Sequence, residues 1–200
     1  MKNEWDDYAD EWDSNADVNR YAEQAFSSLL NVVSLSGSRI LDFGCGTGSL
    51  TEKMAQSAGQ IVALDNSTKM IEVLKKKKLA NVQTFGEELS EAAIKENKCF
   101  RTKFDLITAS SVCSFLPDYG AALNIIGSLL VPGGYFVQWD WMSTKENPEH
   151  GLSETRIKKI FNQVDLELVS LTRAFAMDSK EAKMTVLMGV GRKPVPKSSN

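Results

Sequence analysis

The sequence predicts a doubly wound α/β fold, a three-layer sandwich around a seven-stranded, mostly parallel sheet with an antiparallel C-terminal strand. Three observations predict it. A short apolar run, RILDF over 39–43, passes without a break into a glycine-rich turn at Gly44, Gly46 and Gly48 and then into a helical stretch over 49–58. A second apolar run over 60–65, QIVALD, ends in an acid seventeen positions after Gly48. Strand-like and helix-like segments then continue to alternate, and 166–175 with 185–190 reads as a closing hairpin.

A strand, a glycine-rich turn and a helix make one half of a nucleotide-binding unit. Glycine suits the turn because the backbone bends sharply there, with positive φ, and because a Cβ would hold a ligand away from the amides. Free amides at the start of the next helix favour anionic groups. An acid at the end of the second strand suits ribose hydroxyls. The spacing here is G-x-G-x-G, with Ser49 where the dinucleotide pattern G-x-G-x-x-G/A takes its last small residue.

With 200 residues the chain is expected to form one domain over 1–192, with an N-terminal helical segment and packing helix over 1–36 and a flexible tail over 193–200. Apolar residues make up 42% and charged residues 24%, the balance of a globular protein. A net charge of −3 supplies no basic field to hold nucleic acid by its phosphates. Cys45, Cys99 and Cys113 are odd in number and fit no metal spacing. Free thiols, a reducing compartment and no metal site are therefore expected. The acidic N-terminus lacks an apolar core of the signal-peptide kind, and no apolar run approaches the roughly eighteen residues that cross a bilayer. The expected location is the cytoplasm, with no membrane contact.

Trp5, Tyr8 and Trp12 follow spacings of three and four, which puts them on one face of an N-terminal helix over 1–17 and turns its acids to solvent. Apolar positions from Val18 to Val33 repeat with helical period, and this helix should lie against the sheet beside the first strand. Ser67 is a capping residue for a helix that carries Met70, Ile71 and Leu74 on one face. Lys75 to Lys78 end that helix, where cations suit the helix dipole; the run reads as a solvated helix end, with a phosphate patch as the rival reading.

A third strand over 81–85 leads to Gly86 and Glu87, and a fourth over 104–109 to Ser110 and Ser111. A helix over 118–131 is expected to stop at Pro132 and reverse at Gly133 and Gly134 before a fifth strand. Asp140, Trp141 and Met142 then fall at the carboxyl edge, where open α/β sheets bind ligands. Trp139 and Trp141 are assigned to opposite sides, one to core and one to pocket. His150, the one histidine, reads as a surface residue of a loop before a last helix over 152–164.

The stretch ILDFGCGTG followed by VALDNSTKM closely resembles the first two motifs of Rossmann-like class I S-adenosylmethionine-dependent methyltransferases, of the small-molecule type. LLVPGGYFV is similar to the turn before the fifth strand in that family. The motifs cover about 39–140, and element order extends the likeness to about 192.

The resemblance implies S-adenosyl-L-methionine as cofactor and S-adenosyl-L-homocysteine as product. It implies that Asp42 and the turn of Gly44, Cys45, Gly46 and Gly48 hold the methionine portion. Asp65, with Asn66 beside it, would bind the ribose and Met70 would pack on adenine. Glu87 would meet the adenine amino group, although the family usually carries Asp there, and Ser110 would border the cofactor. The N-terminal segment would fold over the cofactor as a lid, with Tyr8, Trp12, Phe115 and Trp141 forming the substrate pocket.

Such a reaction needs no catalytic triad, and Asp140 and Tyr8 stand nearest to the role of base. Neither the aromatic-proline signature of base and glutamine methyltransferases nor the paired glutamates of arginine methyltransferases is present. A small, uncharged or aromatic methyl acceptor is expected, without nucleic acid, for a monomer or homodimer. The alternatives are a catalytically silent cofactor-binding partner subunit and an NAD-binding oxidoreductase. The latter would need a second domain or a hydride-transfer constellation that 200 residues with one histidine do not supply.

Overall fold

Seven strands form one sheet in the order β3-β2-β1-β4-β5-β7-β6 in the computed structural model, which describes residues 4–145, 148, 150–178 and 183–196. The strands are β1 (Arg39–Phe43), β2 (Gln60–Asp65), β3 (Val82–Gly86), β4 (Phe104–Ser110), β5 (Leu130–Trp141), β6 (Glu167–Asp178) and β7 (Lys183–Arg192). The first five run parallel, and β7 lies antiparallel between β5 and β6. From β1 the chain builds outward through β2 and β3, then returns to place β4 on the other side of β1. That reversal opens a crevice at the carboxyl ends of β1 and β4.

The strands of the sheet centre are mostly apolar because both faces are covered, with Asp42, Thr108 and Gln138 as buried polar exceptions. Their side chains alternate between two cores. Leu41, Phe43, Val62, Leu64, Ile107 and Phe136 point to one, which is closed by α6 (Tyr119–Leu129) and α7 (Glu154–Phe161). Ile40, Ile61, Leu106 and Val137 point to the other, closed by α2 (Ala16–Leu30) and α3 (Ser49–Ala55).

Polar side chains define the helix ends. Ser67 accepts from the Met70 amide at 3.2 Å and starts α4 (Thr68–Lys76); Asp118 accepts from Ala121 at 2.9 Å and starts α6; Ser153 accepts from Arg156 at 3.1 Å and starts α7. The helix expected over 49–58 stops at Ala55. There Asn81 Nδ2 donates to the carbonyls of Ala55 and Ala58, both at 2.9 Å, and satisfies the end of α3 from outside.

Several expectations are corrected. The N-terminal helix is broken into a 3-10 turn at Glu4–Asp7 and a single helical turn, α1 (Ala9–Trp12), because Asn15 accepts from the Asp17 amide at 2.9 Å and caps α2 instead. The turn expected at Gly133 and Gly134 is absorbed into β5: α6 ends at Leu129, and Leu130 pairs at once with Phe104. Gly133, at φ +82°, takes up the register shift that follows. A short helix, α5 (Glu91–Glu96), and a 3-10 turn at Lys98–Arg101 were not foreseen in the sequence; they lead into β4, where the Arg39 guanidinium lies 4.9 Å from the Phe104 ring centre.

The start of the expected flexible tail is bonded, since Lys193 exchanges main-chain hydrogen bonds with Gly133 and Gly134 and pairs with Asp165 at 2.6 Å. Residues 197–200 of that tail, residues 1–3, and residues 146, 147 and 149 of the loop before His150 lie outside the described residues. Among the described residues no helix is long and apolar enough to cross a membrane.

Gly48 shows how tightly the first crossover is packed. It sits at φ +85°, and a Cβ there would come within 2.3 Å of Leu74 Cδ1. Gly48→Ala is expected to cost about 2 kcal/mol, from a disfavoured backbone and an overfilled contact, read as a lower urea midpoint with an unchanged slope.

Candidate active site

The site is built from the turn after β1 upward. The Gly44 and Cys45 amides donate to the Leu64 carbonyl at 2.7 and 3.1 Å, so the turn is tied to the end of β2. Asp65 completes the link. Its Oδ2 accepts from the Gly46 amide and its Oδ1 from the Ser67 amide, each at 2.8 Å. Gly44, Gly46 and Gly48 all have positive φ, but they differ in what surrounds them. A Cβ at Gly44 would strike Val112 at 2.3 Å, whereas at Gly46 it would meet nothing nearer than Trp12 Nε1 at 3.9 Å. Gly46 therefore opens its backbone toward the cavity.

Beneath the turn Asp42 is 1% exposed and accepts from Thr51 Oγ1 at 2.5 Å and Thr108 Oγ1 at 2.8 Å. Burial pushes its pKa up to about 6, and the two hydroxyls offset part of the rise. Burial also raises Asp65, with its two amide donors acting in the opposite sense. The Cys45 thiol is driven well above its ordinary value by burial and by the nearby carboxylates of Asp42 and Asp65, so it stays a neutral thiol.

A cavity of about 920 Å³ lies over these groups at the carboxyl ends of the strands. That is near the upper end of the range for small-molecule sites. Of the residues singled out in the sequence, Asp42, Gly44, Cys45, Gly46, Asp65, Asn66, Met70, Glu87 and Ser110 line it, and so do Trp12, Phe115 and Trp141. Glu87 accepts from Asn97 Nδ2 at 2.8 Å through one oxygen. Ser111, next to Ser110, holds φ +59° while its amide donates to Trp139 O at 2.7 Å, a strained conformation imposed at the cavity wall.

Three of the singled-out residues do not line the cavity. Gly48 is covered by Leu74 and serves packing. Tyr8 is 58% exposed, because the break in the N-terminal helix turns it outward against the rings of Trp5 and Trp12. Asp140 is fully buried below the cavity, where Oδ1 accepts from the Ser114 amide at 2.9 Å and Oδ2 from Gln138 Nε2 at 3.1 Å. The hydroxyl of Tyr119 in turn donates to Gln138 Oε1. Trp139 and Trp141 share one face, contrary to the expectation, because side chains two apart on a strand point the same way. Trp139 reaches Ser28 on α2 with its indole N–H at 2.8 Å, and Trp141 packs on Tyr21 of the same helix.

The N-terminal segment straps the cavity. Asp6 accepts from Ser67 Oγ at 2.6 Å; Asp13 accepts from Thr47 Oγ1 and pairs with Lys77 Nζ at 3.1 Å. Lys77, from the lysine run read as a solvated helix end, also meets Glu52 at 3.1 Å and is only 17% exposed. Trp5 closes the strap edge-on against Phe115, ring centres 5.2 Å apart. Tyr21, Met177, Asp178 and Met184 line the cavity without having been singled out. Tyr21 lies on the apolar face of α2, Met177 and Asp178 on the edge strand β6 and Met184 on β7 beside it, positions that carry no motif and read by periodicity as ordinary strand and helix residues.

Residues 41–136 match the family model of a methyltransferase domain. Over that stretch, just under half of its length, the chain is similar to a methyltransferase domain. It is 30% identical over 119 residues to a ubiquinone biosynthesis O-methyltransferase from Leptothrix cholodnii, a match covering 58% of this chain and 48% of that protein. The chain thus spans about half the length of the curated relatives it matches.

Two solved structures share the fold of this domain. One is the N-methyltransferase NodS from Bradyrhizobium japonicum, in complex with S-adenosyl-L-homocysteine, with a TM-score of 0.69, 21% identity, and coverage of 92% of this chain and 91% of that one. The other is a chain from the complex between the Haloferax volcanii Trm112 methyltransferase activator and a methyltransferase, with a TM-score of 0.77, 15% identity, and coverage of 97% and 99%.

The Asp140 cluster has a measurable signature in this domain. Burial pushes Asp140 up to about 7, above the ordinary carboxyl value of 3.8, so the folded state binds its proton more tightly than the unfolded chain. Stability from this group is present at low pH and is lost as pH rises from about 4 to about 7. Asp140→Asn, in which the Gln138 amide turns over and Tyr119 accepts, is expected to remove that loss. Thermal melts should show the variant level with or above the wild type at pH 8, and losing its advantage as the pH falls to 4.

Proposed function

We propose that this chain transfers a methyl group from S-adenosyl-L-methionine to a small-molecule acceptor, releasing S-adenosyl-L-homocysteine. The observation that carries the reading is the bonding of Asp65. Each of its oxygens takes one backbone N–H and keeps a lone pair, so the pair of oxygens can accept from two vicinal ribose hydroxyls above the turn. The residues around it fit the same ligand. Gly46 leaves its space open, Met70 offers an apolar surface, and Glu87 has a second oxygen beyond the one bonded to Asn97.

When bound, the cofactor supplies a methyl on a sulfonium: the acceptor's lone pair bonds to the methyl carbon, the sulfur keeps the electrons of the broken bond, and the acceptor's proton passes to solvent. The chain's contribution is alignment and exclusion of water. Asp42 stiffens the turn from below through Thr51 and Thr108. The strap over 4–15, held by Asp6 and Asp13, is read as the lid over the cofactor, and its Trp5–Phe115 contact as the closure. A base is not required of the side chains around the cavity, and Asp140 is a structural carboxyl in this reading.

The similarity to ubiquinone biosynthesis O-methyltransferases supports a small-molecule acceptor. The cavity volume is consistent with cofactor and acceptor held together. We read 1–192 as one domain that acts in the cytoplasm as a monomer or homodimer, a location suited to three free cysteines.

Calorimetric titration of protein stripped of endogenous ligand tests the assignment, with S-adenosylmethionine, S-adenosylhomocysteine and NADH in parallel. Micromolar binding of the first two is expected, weakened at least tenfold in Asp65→Ala and in Glu87→Ala. Binding of NADH alone would overturn the reading in favour of a nicotinamide-binding protein.

A further inference from the structure

The cavity extends beyond the Asp65 end, past Ser110, into a chamber walled by Val18, Tyr21, Trp141, Met177 and Met184. These come from α2 and from β5, β6 and β7, elements that take no part in holding the glycine turn. Two independent features describe what this chamber takes.

The first is the hydroxyl of Tyr21. Its ring is 8% exposed and wedged between Trp141 and Phe175, with ring centres 5.2 Å from each. The oxygen is shut off from solvent and has no hydrogen-bond partner. Ser110 stands near enough to lower its pKa slightly, without meeting hydrogen-bond geometry. Burial, with the Asp140 carboxylate adding to it, keeps the phenol protonated. A buried hydroxyl on a cavity wall, in a fold that pairs nearly all its buried polar groups, points to a partner that enters from the cavity.

The second feature is charge. Eight carboxylic side chains line the cavity, from Glu4 in the strap and Asp17 at the start of α2 to Asp178 at the end of β6, and among the described residues no Lys, Arg or His side chain does. An anionic acceptor would meet like charge from the lining side chains and find no cation among them to pair with, at a short range where salt screens little. A neutral or cationic acceptor meets no such barrier.

We propose that the chamber takes a neutral or positively charged aromatic acceptor, clasped between Tyr21 and Trp141 with the Tyr21 hydroxyl bonded to its polar group, and that it rejects carboxylate- and phosphate-bearing acceptors. The flat ring surfaces and the two methionines favour an aromatic body. The eight acids set the charge, and Tyr21 is the positioning residue. This rests on the methyltransferase reading for the word acceptor, but the chamber itself is tested by binding.

The test uses three probes of one ring and three charges, catechol, dopamine and 3,4-dihydroxybenzoate, titrated by calorimetry into the full chain with and without saturating S-adenosylhomocysteine. Catechol and dopamine are expected to bind at least tenfold more tightly than the benzoate. Tyr21→Phe, which keeps the ring packing, should weaken both at least tenfold while leaving S-adenosylhomocysteine affinity and melting temperature unchanged or higher. Asp17→Asn combined with Asp178→Asn should narrow the gap between dopamine and the benzoate.

Equal or tighter binding of the benzoate, no binding of any probe, or an unaffected Tyr21→Phe would each overturn the proposal. Failure of S-adenosylhomocysteine to bind, with the probe order intact, would instead remove the methyltransferase reading and leave the chamber's charge selectivity standing.

Discussion

Asp65 accepts two backbone amides, one from the turn after β1 and one from the residue that caps α4, and this pair of bonds is where the site begins. The turn has three residues at positive φ and few internal bonds of its own. Without an acceptor at the end of β2, the Gly46 amide would have to find its partner in water, and the floor of the cavity would lose its shape. The same carboxylate sets where α4 starts. Ser67, whose amide it holds, uses its hydroxyl both to cap α4 and to donate to Asp6 in the strap. One acid thus connects a strand end, a glycine turn, a helix N-terminus and the segment above them.

The strap depends on charge as well as on aromatic packing. Asp13 lies where it can take the Thr47 hydroxyl and the Lys77 ammonium together. Lys77 is held between Asp13 and Glu52, so the C-terminal end of α4 neutralises acids that would otherwise repel one another above the turn. The cavity has no such compensation. Its wall is acidic, and burial raises the two carboxylates beneath the proposed cofactor position, Asp42 and Asp65, toward their neutral forms. A cationic ligand group placed there would favour the ionised forms again, so ligand charge and the protonation of Asp42 are linked.

Below the cavity, Asp140, Gln138 and Tyr119 form a buried polar chain joined to the Ser114 amide. It ties the loop after β4 to β5 and brings α6 into the same network. The side chains of Asp140, Gln138 and Tyr119 all bond within the chain, which separates them from Tyr21, whose hydroxyl is without a partner. The contrast assigns the first to architecture and the second to ligand binding.

Much of this was legible in the amino-acid order. The glycine turn, the acids at 42, 65 and 87, the apolar strands and the capping serine at 67 are local signals: each depends on residues a few positions apart and on backbone chemistry that any chain obeys. They determined the α/β class, the strand boundaries of β1 and β2, and the residues at the Asp65 end of the cavity. What lay beyond reach depended on which elements meet. Tyr8 and Tyr21 are both aromatic residues near helices of the first thirty positions, and the break capped by Asn15 decides which of them turns inward. Asp140 sits at the strand end where a base would be sought, but it is buried, and the loop after β4 engages one of its oxygens while Gln138 of β5 engages the other. The proposed acceptor chamber is assembled from α2 and three strands distant in sequence, so no spacing announces it; only the folded sheet, with β7 inserted between β5 and β6, brings Trp141, Met177 and Met184 to the same cavity as Tyr21.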